Sequence, residues 1–96
     1  MIEIDLLRTL SKDNSKIHLT LHLLTRLLER GIEYNDVIRA IQCGEIIEQY
    51  PNDYPHPSCL IVGKTSNEKI LHIVCGTDGE YIWIITAYYH GKMTLK

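Results

Sequence analysis

The stretch Tyr34-Asn35-Asp36-Val37-Ile38-Arg39-Ala40-Ile41-Gln42-Cys43-Gly44-Glu45-Ile46-Ile47-Glu48-Gln49-Tyr50 changes its period in the middle. Before Gly44 the apolar residues Val37, Ile38, Ala40 and Ile41 recur at the spacing of one helix face. After it comes a short run of β-branched and aromatic residues that suits a strand. Glycine at the junction is a common helix terminator, because the chain can leave the helix there without a side-chain clash. The switch divides the chain into helices upstream and strands downstream.

Upstream, Thr20 to Arg30 reads as the clearest helix, stopped by Gly31. Its leucines at 21, 24, 27 and 28 are assigned to the core side, and His22, Thr25, Arg26 and Glu29 to the opposite arc. Tyr34 to Gln42 forms the next helix. Ile4, Leu6, Leu7 and Leu10 fit a short first helix that frays near Ser11-Lys12-Asp13-Asn14-Ser15, whose side chains compete for backbone hydrogen bonds. Downstream, Ile46 to Tyr50, Cys59 to Gly63, Ile70 to Gly76 and Tyr81 to Tyr89 read as strands. They are separated by the turn-forming groups Pro51-Asn52-Asp53, Thr65-Ser66-Asn67 and Thr77-Asp78-Gly79. Connections this short favour antiparallel neighbours. The expected fold is α+β, with two or three N-terminal helices packed on one face of a four-stranded antiparallel sheet.

The chain has 96 residues, 45% of them hydrophobic, which suits one domain over residues 1–96 and not two cores. No run approaches the roughly 18 to 20 apolar residues of a membrane span, and the N-terminus lacks a basic region before an apolar one, so a cytoplasmic protein is expected. Three cysteines without a C-x-x-C pair are read as reduced, buried thiols. A formal charge of -2 supplies no global attraction to nucleic acid, although a local patch would suffice for binding.

The order and spacing of several motifs resemble one family. Thr20-Leu21-His22, Arg26, Glu29-Arg30-Gly31-Ile32, Asp36-Val37 and Gly44 through Pro55 carry the first half of the resemblance. Pro57-Ser58-Cys59-Leu60 with Gly63, Leu71-His72-Ile73-Val74 and Ile85-Thr86-Ala87-Tyr88 carry the second. The chain is similar here to the bacterial and archaeal family called domain of unknown function 4258. Past Tyr88 it departs: the family usually continues with a proline-aspartate pair and a tryptophan, whereas Tyr89-His90-Gly91 leads into a short basic tail.

The resemblance implies a scaffold like that of the RelE-type ribonuclease toxins, and a partner in the form of a zinc-ribbon antitoxin. An RNA endonuclease of that kind, acting without a metal, needs a base for the 2′-hydroxyl proton, a cation for the phosphate and an acid for the leaving oxygen. His22 and Arg26, four apart on one helix face, are the expected catalytic pair, joined by Thr86 and Tyr88, which share a strand face. Replacing either His22 or Arg26 with alanine is expected to abolish growth arrest without lowering stability. His72, Glu29 and Tyr54 are the expected substrate contacts. His90 follows Thr86 and Tyr88 in alternation but reads as a frayed end, and His18 and His56 read as surface. Their spacing fits no metal motif, so neither metal nor cofactor is expected. The prolines 51, 55 and 57 stiffen a loop that is either a plain hairpin connection or a wall over a binding surface, with Tyr54 and His56 at its tip as contact residues in the second case. The alternative to a ribonuclease is a non-catalytic protein- or ligand-binding domain on the same scaffold, with His22, Arg26 and Glu29 as the ordinary solvated face of an amphipathic helix.

Overall fold

The computed structural model of the chain describes residues 1–91. Helix α1 spans Ile4–Leu10, strand β1 Ile17–His18, helix α2 Leu21–Arg30, helix α3 Tyr34–Cys43, and strands β2 to β5 Glu45–Tyr50, Ser58–Lys64, Ile70–Thr77 and Ile82–Tyr89. The sheet order is β1-β5-β4-β3-β2. The last four strands form the antiparallel meander expected from their short connections.

The sheet has five strands, not four, and it is mixed. The additional strand, β1, pairs parallel to β5, with Ile17 beside Ile82 and His18 beside Trp83. Two residues are too few to display an alternation, and the partner strand lies at the far end of the sequence, so no local pattern marks it.

Local chemistry fixes the helix ends. The Thr20 hydroxyl accepts the Leu23 N–H at 3.0 Å, satisfying one of the free donors at the start of α2. Gly31 ends α2 in the left-handed region at φ 68°, where any other side chain is strained. Helix α1 packs against α3, α3 against β3 and β4, and α2 against β5. Leu7, Leu10, Leu23, Leu27, Val37, Ala40 and Ile41 meet Ile61, Leu71, Ile73, Ile82, Ile84 and Ala87 in one buried core.

The helix wheel needs a correction. Leu23 and Leu27 are buried at 3% exposure each, while Leu21, Leu24 and Leu28 are 80%, 40% and 82% exposed. Five leucines on a ten-residue helix define a broad apolar arc, and contacts outside the arc select the side that docks. Arg30 Nη1 donates to the Ala87 carbonyl at 2.8 Å, and the Tyr89 hydroxyl donates to the Gly31 carbonyl at 3.0 Å. These bonds turn the face holding Leu23, Leu27 and Arg30 toward β5.

Gly63 sets the distance between α3 and the sheet. A Cβ at this position would lie 2.7 to 2.8 Å from backbone and side-chain atoms of Ala40. Gly63→Ala should therefore lower stability by about 1 to 3 kcal/mol, read from the shift of a denaturation midpoint. A loss below about 0.5 kcal/mol would mean that α3 yields freely. Of the cysteines, Cys59 and Cys75 are buried as expected, facing each other across β3 and β4, but Cys43 at the end of α3 is exposed.

Candidate functional site

Among the described residues no helix covers the other face of the sheet, and the strand register arranges that face in three rungs. One runs Glu45, Val62, His72, Tyr88; the next Glu48, Leu60, Val74, Thr86; the last Tyr50, Ser58, Gly76, Trp83, His18. Strict alternation along β5 would not place Trp83 with Thr86 and Tyr88. A bulge at Ile85 does so: Ile84 pairs with Cys75 and Thr86 with the adjacent Val74, so the extra residue moves the later side chains to the open face.

At the first rung two imidazoles meet. His72 Nε2 lies 3.2 Å from His90 Nδ1, and the His72 ring tilts against Tyr88 with centroids 5.1 Å apart. His90 extends the same alternation just past β5 and is held by its backbone, whose N–H donates to the Ile70 carbonyl at 2.9 Å. It is therefore an ordered member of the cluster and not a frayed end. Partial burial, then the neighbouring His90, holds the His72 imidazole below its ordinary range.

That shift has a checkable sign. The unfolded chain takes up the His72 proton at higher pH than the folded chain, so the native state loses stability as pH falls through the ordinary imidazole range. His72→Gln should reduce the difference in denaturation midpoint between about pH 7 and pH 5. An unchanged difference would place the pH sensitivity elsewhere.

A guanidinium reaches this face, but it belongs to Arg30. Its Nη1 donates to the Thr86 hydroxyl at 3.3 Å as well as to the Ala87 carbonyl. Arg26, the residue expected from the sequence, bonds within its own helix: Nε to His22 Nε2 at 3.4 Å and Nη1 to Glu29 at 3.6 Å. Thr86, Tyr88 and His72 thus gather as expected. His22, Arg26 and Glu29 form a separate exposed row on α2.

The loop between β2 and β3 folds back over the last rung. The Pro57 carbonyl accepts the Thr77 N–H at 3.2 Å, the buried Ser58 hydroxyl donates to Asp53, and His56 stacks on Trp83 with centroids 4.5 Å apart. The loop thus lies against the sheet face and is more than a plain connection between two strands, with Tyr54 95% exposed at its lip. His18 stacks on Trp83 as well, at 5.3 Å, and then meets Tyr81, over which Lys16 sits at 5.5 Å. The wall borders an open cleft of about 650 Å3. His56 was expected at the loop tip if the loop formed a wall, but His18 and Trp83 escaped the sequence reading because the loop and β1 bring these residues together from distant segments. The indole between Ile82 and Ile84 was the only local signal.

The chain matches the family described as a domain of unknown function, DUF4258, over residues 19–89. It belongs to that family. The DUF4258 match runs from the entry of α2 to the end of β5, so it covers the bare face and the loop wall. Two contributors to the clusters, His18 and His90, fall just outside it. No curated protein and no solved structure matches the chain significantly. Among the described residues no helix is long and apolar enough to cross a membrane.

Proposed function

We propose that this DUF4258 domain is a small RNA endonuclease that works without a metal, with its chemistry on the bare sheet face and not on the outer row of α2. The observation that carries the reading is the hydrogen-bonded His72–His90 pair beside Tyr88, on the same strand face as Thr86 with its Arg30 guanidinium. In the proposed reaction the 2′-oxygen of a ribose attacks the adjacent phosphorus and its proton passes to the imidazole pair. The bond from phosphorus to the 5′-oxygen breaks. The leaving oxygen takes a proton from the pair or from the Tyr88 hydroxyl, giving a 2′,3′-cyclic phosphate and a free 5′-hydroxyl. Partial burial, then the neighbouring His90, lowers the His72 imidazole's affinity for a proton and so favours the neutral form a base requires. Arg30 and Thr86 supply the donors that bind the phosphate.

The partner in this reading is a zinc-ribbon antitoxin. The stripe Leu21, Leu24, Leu28 on α2 is the surface we assign to it, because a helix face this apolar is rarely left open on a monomer. The bare face also carries the carboxylates of Glu45 and Glu48, and the formal charge is -2. That electrostatic balance favours the second reading, a non-catalytic binding domain.

The deciding experiment incubates the purified protein with single-stranded RNA in EDTA. The enzyme reading expects fragments ending in a 2′,3′-cyclic phosphate, and no cleavage of the same RNA carrying 2′-O-methyl groups. Intact RNA, with no growth arrest on expression of the chain alone, would leave only the binding domain.

A further inference from the structure

Trp83 is the chain's single tryptophan and takes no part in the chemistry above. It stands in a column of rings drawn from three elements: His18 of β1 lies at an interplanar angle of 21° to the indole, and His56 of the loop at 19°. Near-parallel imidazoles on an indole form a stacking wall. Beside Trp83 on β4 stands Gly76, where a Cβ would lie 3.1 Å from the Pro57 carbonyl oxygen. The absence of a side chain there lets the loop carry His56 onto the indole.

The cleft beside this wall has the size of a small-ligand site. Among the described residues its lining includes Thr20, Asp53, Tyr54 and Ile85 and no lysine or arginine. A phosphate or carboxylate would therefore meet the Asp53 carboxylate, with no lysine or arginine to offset it and only the stacked imidazoles of His18 and His56 nearby. A neutral planar group finds rings to stack on, aliphatic packing, and one acceptor held in place by the Ser58 hydroxyl. A carboxylate oxygen accepts from an exocyclic amino group, a contact that adenine, cytosine and guanine offer and uracil does not.

We propose that the cleft binds one amino-bearing nucleobase of a single-stranded RNA whose backbone continues along β5 toward Thr86 and Arg30. The ligand class rests on the RNA reading of the bare face, but binding in the cleft does not require cleavage.

The test uses pentanucleotides of 2′-O-methyl RNA, which lack the attacking hydroxyl, with uridine at every position except the centre. Binding is read from the emission of Trp83. Central adenine or cytosine should bind with a saturable change in emission, about 5- to 150-fold more tightly than central uridine. Asp53→Asn keeps an acceptor for Ser58 and should erase that preference. His56→Ala should weaken all the oligonucleotides alike, by about 5- to 150-fold. Tyr54→Ala, at the exposed lip and away from Ser58, should weaken binding without lowering the melting temperature. Equal binding of the uridine oligonucleotide, or no change in emission with any of them, would overturn the assignment. So would Asp53→Asn and Tyr54→Ala variants that fold and bind as the wild type does. RNA cleavage without any central-base preference would reject the cleft alone. Binding with preference, together with no cleavage of unmodified RNA, would uphold the cleft and reject the enzyme.

Discussion

Leu27→Ala should lower the free energy of unfolding by about 2 to 5 kcal/mol, and Leu23→Ala by a similar amount, whereas Leu28→Ala should cost less than about 0.5 kcal/mol. Leu23 and Leu27 are four apart on α2 and reach the core shared with Ile82, Ile84 and Ala87. Truncating either removes apolar atoms from a close-packed interior and leaves a cavity that neighbouring strands cannot close. Leu28 is 82% exposed, so its side chain loses little solvent contact on folding. Denaturant midpoints at unchanged slope measure the difference. Comparable losses at positions 27 and 28 would mean that α2 is rotated from its described docking.

The same helix shows how far the sequence could be read. The leucine spacing and Gly31 were enough to locate α2, because helix formation and termination depend on residues within a few positions of each other. Which side of the leucine arc faces inward depends on Arg30 meeting the Ala87 carbonyl, a contact between opposite ends of the chain. The wheel therefore took Leu21, Leu24 and Leu28 for core.

The site divides along the same line. Thr86, Tyr88 and His72 were legible as one surface, since they follow strand alternation and the pairing of adjacent antiparallel strands. The bulge at Ile85, the parallel pairing of β1 and the return of the loop over Gly76 have no short-range signature. These features bring Trp83, His18 and His56 together at one end of the face, and the seam between α2 and β5 puts Arg30 where Arg26 was expected. The exposed Leu21, Leu24 and Leu28 then acquire a separate meaning. They are not spare core residues but an apolar strip on the outside of the domain, the surface proposed here for a protein partner.

On the enzyme reading, His72→Ala should reduce the rate of RNA cleavage by about 10²- to 10⁴-fold, the usual value of a positioned acid-base group. His90→Ala should do nearly the same, because His72 Nε2 and His90 Nδ1 lie 3.2 Å apart and the two rings are proposed to carry one proton between them. Removing both should then be little worse than removing either, as for residues that act as a unit. Tyr88→Phe keeps the ring against His72 and tests the hydroxyl alone, while Arg30→Ala removes the donor at Thr86 but also the bond that holds α2 to β5. Arg30 therefore needs its melting temperature measured beside its rate. His22→Ala and Arg26→Ala are the decisive comparison, since both side chains are exposed and bonded to each other on the outer row of α2. If those two variants lose cleavage while His72→Ala and His90→Ala keep it, the chemistry lies on the helix and the proposal for the sheet face falls. If the His72 and His90 variants lose cleavage with their folding intact, the proton is handled on the sheet, and the α2 row is left with the solvated role that its ion pair with Glu29 already suggests.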